Sequence, residues 1–295
     1  MRIFKKGLNK IFNRKPFNAV GIDSDNKNWK VYFLIKGKRE CIDNRHALVA
    51  LKPVIISISW REGYLSQAGV IQIEKNGKLM GSLNLEPIET IIVNDQYIIL
   101  YKINEYKNYL FSLPYKIYND FYLRMQNISS LRPYNFIMPV AEQNKLHIYY
   151  MIPKPVVLIT VFDGKKYDIF PMDIIGNATE NIFLLGLRNT SPAIQKIVAS
   201  ARLCISGVPI EQKKAAYELG IHHKSGEVNL KNLPFKTVMS EKLNFEIPEF
   251  ALNIMEVELL KHKEVGSHTL FITRILHSYS LNSGTQLAHS PWFMS

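Results

Sequence analysis

The stretch that decides the fold is "FALNIMEVELLKHKEVGSHTLFITRILHSYS", residues 250–280. Its two arms, "FALNIMEVELLKHKE" and "HTLFITRILHSYS", are rich in β-branched and aromatic residues, which suit a pleated surface. Between them stands Gly266, suited to a tight connection. The reading is two long strands joined by a short turn. The second strand opens with Gly-Ser-His-Thr, and strand propensity gives no reason for the imidazole of His268. Taken alone, His268 reads as a strand-start residue that is solvated or bonds a backbone carbonyl.

The residues upstream have the same character. "KPVVLITVFDGKKYDIFPMDIIG" (154–176) reads as a strand, an Asp-Gly turn and a second strand, and "ENIFLLGLRN" (180–189) as a third. "TSPAIQKIVASAR" (190–202) reads as a helix, with Ser191 as N-cap and Pro192 in the first helical position. Ile194, Ile197, Val198 and Ala201 make one apolar stripe along it. "LCISGVP" is a fourth strand and "EQKKAAYELG" a short helix. The start of the first helix offers unpaired N–H groups beside Arg188, Asn189, Thr190 and Ser191. Such a group suits a phosphate, although many strand-to-helix turns carry Ser or Thr only as caps. Pro171 and Gly176 flank a short extended piece, read as a bent or edge strand or as backbone able to meet the edge of a flat heterocycle.

The first half is also β-rich. Strands are expected at 29–37, 53–60, 69–86 and 95–103, with a hairpin at Asn76-Gly77. "RHALVALKP" (45–53) reads as a short helix ended by its proline, and 115–136 as a helix running into a Ser-Ser/Arg-Pro connection. The expected division is a basic tail at 1–16, a β-rich domain of unknown role at 17–130, and a third part at 131–295, with a soft boundary near 129–133. "KPVII" (52–56) and "KPVVL" (154–158) look alike, but the residues beyond each do not align. They are read as coincidence and not as a repeat.

Hydrophobic residues make up 47% of the 295 and charged residues 21%, as in a globular protein, which argues against large-scale disorder. Two cysteines, Cys41 and Cys204, are too few for a disulfide framework and suit a reducing compartment. The net charge is +12, and Arg2, Lys5, Lys6, Lys10, Arg14 and Lys15 precede the first acid, Asp23. That tail is compatible with an acidic membrane surface or with no special role. No secretory h-region comes after it, and no segment reaches the ~18 apolar residues of a membrane span. The expected location is the cytoplasm. Elsewhere the charges are dispersed, which argues against a nucleic-acid partner. His222-His223 lacks the spacing of a metal site, and no Gly-x-Ser-x-Gly or Gly-x-Gly-x-x-Gly occurs.

In element order the chain resembles the flavin-reductase-like family. The carrying pieces are "IPKPVVLITVFDG" (152–164), "NIFLLGLRNTSPAIQKI" (181–197) and residues 249–275. The resemblance implies a mainly β fold with short helices: an FMN-binding split β-barrel preceded by a β-rich N-terminal region. It implies FMN as cofactor, NAD(P)H as co-substrate and a homodimer. It assigns Arg188, Asn189, Thr190 and Ser191 to the flavin phosphate, and Met172, Asp173, Ile174 and Ile175 to the isoalloxazine ring. It places His268 at the mouth of the site as the catalytic residue. The implied function is hydride transfer from NAD(P)H to flavin and on to an acceptor. The alternative is an FMN-binding or degenerate module without turnover, serving storage or protein interaction. Two departures bear on that choice. Ser267 stands where the family has an acid. Thr273 and Arg274 stand where the family has Gly and a small or acidic residue, and Arg274 would block the site, pair with an acid or meet a second phosphate.

Overall fold

The computed structural model describes residues 17–22, 28–60, 66–129, 137–222 and 228–291. The basic tail (1–16), the Ser-Ser/Arg-Pro connection from 130 to 136, and His223 lie outside them.

The first half forms seven strands: β2 (Trp29–Ile35), β3 (Lys38–Cys41), β4 (His46–Leu51), β5 (Val54–Trp60), β6 (Gly69–Lys75), β7 (Lys78–Val93) and β8 (Gln96–Asn108). They make one antiparallel sheet in the order β3-β2-β6-β7-β8-β5-β4. Helices α1 (Leu113–Ser129) and α2 (Val140–Tyr149) come next. The second half gives β10 (Val157–Phe162), β11 (Tyr167–Met172), β12 (Ile175–Asn177), β13 (Ile182–Arg188), α3 (Ala193–Ser200), β14 (Arg202–Gly207) and α4 (Lys213–His222). A small hairpin, β15 (Thr237–Met239) and β16 (Glu246–Pro248), leads into β17 (Asn253–Val265) and β18 (His268–Ser280). The second large sheet has the order β11-β10-β14-β17-β18-β13-β12. The fold is mainly β, two seven-stranded antiparallel sheets with a few helices.

Taken in chain order, the strands of the two large sheets succeed one another in the same sequence around each sheet. The look-alike segments do not carry this correspondence. Lys52 and Pro53 sit in the turn between β4 and β5, whereas Lys154 and Pro155 form the short strand β9. Strand β9 pairs with β19 (Gln286–Pro291), which pairs in turn with β1 (Phe17–Ile22).

Local chemistry accounts for the turns. Asn76 and Gly77 both take positive φ (52° and 75°), the geometry of a two-residue hairpin loop. Gly266 does the same between β17 and β18 (φ 55°). The expected helix at 45–53 is strand β4 instead. "HALVAL" has no polar face to give a helix because its middle four residues are buried. The strand lies between the two halves, packed on β12, β13 and β18, and hydrophobic periodicity cannot separate such a run from a buried helix.

Three cores result. One fills the first sheet and includes Leu146, Ile148 and Met151 in and after α2, so the chain beyond 131 contributes to the N-terminal core. One lies inside the second sheet around Phe170, Leu185 and Phe271. The third joins the halves, with Val49, Ala50 and Ile98 against Leu184, Leu270 and Ile272. Its close fit depends on Gly186, where a Cβ would stand 2.5 Å from the carbonyl oxygen of Val49. Gly186→Val should therefore lower stability by about 1–3 kcal/mol. A urea midpoint equal to that of the parent would show that β4 is not seated there.

Candidate functional site

A cavity of about 600 Å³ opens where the loop ends of the second sheet meet β4. This size suits a small cofactor. Met172 closes β11, and Asp173 and Ile174 lead to β12. Arg188 ends β13, Thr190 and Ser191 lead into α3, and His268 begins β18. Register brings the last two strands together, because His268 stands directly opposite Arg188. Leu51 reaches in from the N-terminal half.

Seven of the nine expected residues thus share one cavity. The other two face elsewhere. Ile175 packs in the second core and borders a separate cavity of about 530 Å³ beside His46 and Lys154. Asn189 is a brace. Its amide donates to the Gly266 carbonyl (3.0 Å) and its oxygen accepts from Thr269 (3.1 Å). It ties the β13–α3 turn to the β17–β18 turn. Ser191 acts at the helix start, accepting from the Ala193 N–H at 3.3 Å, with the first regular turn one residue later than expected.

His268 is fully buried. Burial first, then the charge of Arg188, pushes its pKa down to about 4, against a smaller opposing pull from Asp173. The ring is neutral at pH 7. Ser267 Oγ lies 2.8 Å from its Nδ1 and accepts from the Lys52 N–H at 3.0 Å. With one hydrogen to give and two lone pairs, the hydroxyl serves the Lys52 N–H and the ring nitrogen at once. The Ser267 N–H in turn donates to the Lys52 carbonyl (3.0 Å). Ser267 therefore couples the imidazole to the β4–β5 turn of the other half.

Asp173 carries a network that no sequence signal announces. Its Oδ2 accepts from the Tyr150 hydroxyl at 3.0 Å and bonds His289 Nδ1 at 2.7 Å. His289 Nε2 meets the Tyr217 hydroxyl at 2.9 Å. Burial and the neighbouring carboxylate drive the Tyr150 pKa well up, so the phenol stays a donor. These partners come from the end of α2, from α4 and from β19, each distant in sequence.

Arg274 takes the second of its three readings. It pairs with Glu258, its cross-strand neighbour, and is exposed. It lies six residues along β18 from His268, about 20 Å away. Cys41 and Cys204 are free thiols, exposed and buried respectively. Among the described residues no cluster of His, Cys, Asp or Glu suits a metal ion, and no helix is long and apolar enough to cross a membrane.

His147, also buried, is held near 4 by desolvation. Both imidazoles have folded pKa values below the unfolded one, so the unfolded chain takes up protons first as pH falls. Stability is full above about pH 6.5 and declines towards pH 4, by up to about 1.4 kcal/mol per pH unit for each ring. Urea titrations near pH 7 and near pH 5 should show the drop, and His147→Phe should reduce it.

No protein-family model and no curated protein matches the chain. Solved structures do. An NADH:FAD oxidoreductase of Streptomyces globisporus is 17% identical, covering 54% of this chain and 94% of its own, with a TM-score of 0.46. An FMN-binding protein of Thermus thermophilus is 18% identical over 55% and 97%, with a TM-score of 0.43. A flavoredoxin of Methanosarcina acetivorans is 16% identical over 44% and 70%, with a TM-score of 0.40. Over about half its length, the chain is thus similar to flavin reductases and FMN-binding proteins, at low identity.

Proposed function

We propose that the chain is an FMN-binding oxidoreductase of the flavin reductase type, taking hydride from NAD(P)H and passing electrons to an acceptor. The observation that carries this reading is the convergence in one cavity of a guanidinium, a helix start, an extended run at 172–174 and a buried neutral imidazole. The residues fit the group. Arg188 and the N–H groups entering α3 would hold the phosphate, the place where charge and unpaired donors coincide. The 172–174 run, braced through Asp173 by Tyr150 and His289, would line the ring. Phe170, Met172 and Leu187 give the cavity an apolar wall.

Accepting hydride is chemistry that the flavin supplies when bound; the protein supplies binding, orientation and electrostatics. His268, neutral and fixed by Ser267, adds no positive charge where the nicotinamide would approach. Leu51 covers part of the opening and limits water. Because Arg274 is engaged with Glu258 far along the strand, it does not obstruct the site. That favours turnover over the degenerate alternative. We place the activity in the cytoplasm.

Anaerobic mixing tests the reading. FMN-loaded protein should bleach with NADH or NADPH. Bleaching with neither leaves a binding module, and protein that takes up no FMN refutes both. Arg188→Ala should weaken FMN by about 10- to 150-fold, the equivalent of one charged hydrogen bond (about 1.5–3 kcal/mol), while sparing riboflavin. Equal weakening of both ligands would remove Arg188 from the phosphate. His268→Ala should slow bleaching and leave FMN affinity unchanged; an unaltered rate would make His268 a structural residue.

A further inference from the structure

The shared strand order extends to individual residues. The hairpin β7–β8 closes on Val93 opposite Gln96, and β17–β18 closes on Val265 opposite His268. Counting from there, Trp60 opposite Tyr97 corresponds to Leu187 opposite Thr269. The next strand agrees, with Ala47 opposite Ser57 corresponding to Gly176 opposite Leu184. So does a hydrogen bond outside the ladders. Ser59 N–H donates to the Arg45 carbonyl at 2.9 Å, and at the corresponding places Gly186 N–H donates to the Ile174 carbonyl at 2.9 Å.

The two copies also meet as the halves of a twofold dimer do. In such an interface each residue near the axis touches its own equivalent. A Cβ on Gly176 would stand 2.7 Å from the Cβ of its counterpart Ala47. Each copy lends a segment to the other's cavity. Leu51 enters the cavity of Arg188, and its counterpart Glu180 enters a second cavity beside Trp60.

That second cavity stands at the symmetry-related place. Asn44, Arg45, Ser59, Trp60 and Gln96 line it, where Asp173, Ile174, Gly186, Leu187 and His268 line the first. The differences run against a flavin. The volume is about 300 Å³ instead of 600 Å³. Trp60 replaces Leu187, and Arg45 is held by Glu40 (2.7 Å) and the Cys41 carbonyl (2.6 Å). Glu180 would face a phosphate with like charge. In sequence Arg61 comes after Trp60 as Arg188 comes after Leu187, but Arg61 lies outside the described residues.

We infer that residues 29–108 are a second, degenerate copy of the split barrel that serves this chain as a built-in partner, closing a single cofactor cavity while its own symmetry-related cavity takes no flavin. The expected pairing of two subunits is then met within one polypeptide. The single-flavin part rests on the proposed function; the built-in partner does not.

Native mass spectrometry of the full chain at low micromolar concentration, with and without FMN, tests both parts. The expected species is the 34.0 kDa monomer, gaining one FMN. A particle of doubled mass that persists on dilution would overturn the built-in partner. Two FMN per chain would overturn the degenerate cavity. A monomer that gains no FMN overturns the flavin reading and supports the partner role. Leu51→Trp, which fills the cavity from the other copy, should weaken FMN about ten-fold or more at unchanged melting temperature. Unchanged affinity would show that the N-terminal copy does not close the site.

Discussion

The structure depends on the seating of one strand, β4, against the second sheet. Its middle four residues are buried, and it lies against β12, β13 and β18. The approach is close because the opposing positions carry no Cβ: Gly176 faces Ala47, and Gly186 faces the Val49 carbonyl. Apolar side chains fill what remains, with Val49, Ala50 and Ile98 meeting Leu184, Leu270 and Ile272. Burying such side chains contributes about 1.5–3 kcal/mol each, so this contact stabilises both halves together.

The same contact shapes the site. Strand β4 ends on Leu51, in the cavity, and the turn after it bonds Lys52 to both the backbone and the hydroxyl of Ser267. Ser267 then orients His268. The serine at this place thus has a physical role. An acid there would accept from Lys52 but would hold a charge beside a buried imidazole and favour its protonation. A serine adds no charge there, and burial keeps the ring neutral. On the other wall, Tyr150 and His289 hold Asp173 through a carboxylate that the cavity only partly covers.

Much of the fold was legible in the sequence. The strand runs at 29–35, 54–60 and 268–280, the Asn76-Gly77 hairpin and the Gly266 turn all stand where local chemistry puts them. The helix after Arg188 was legible from its cap and stripe. "HALVAL" was not: a strand buried on both faces loses the period-two signal, and its Ala and Leu favour a helix where the equally buried β5 has Val54, Ile55, Ile56 and Ile58. Helix α2 was also missed: it buries Asn144, Lys145 and His147, polar residues that blur its apolar face. The Asp173–His289–Tyr217 chain has no local signature at all. Asn189 looked like a ligand because Arg-Asn-Thr-Ser suits a phosphate, but the neighbouring turn claimed its side chain.

By itself the sequence determined most of the strand content, the turns, and the placing of Arg188, Thr190 and Ser191 at one helix start, since these arise from propensity, capping and short-range spacing, whereas the pairing of β13 with β18 put His268 opposite Arg188. Only the tertiary structure decided that Arg274 pairs with Glu258 away from the cavity, and that Ile175 and Asn189 do not line it. It alone showed two sheets of identical strand order. Strand order is set by pairings between residues far apart in the chain. Those pairings tolerate wide change in side chains as long as the inward faces stay apolar, so two copies keep one topology after their sequences have ceased to align.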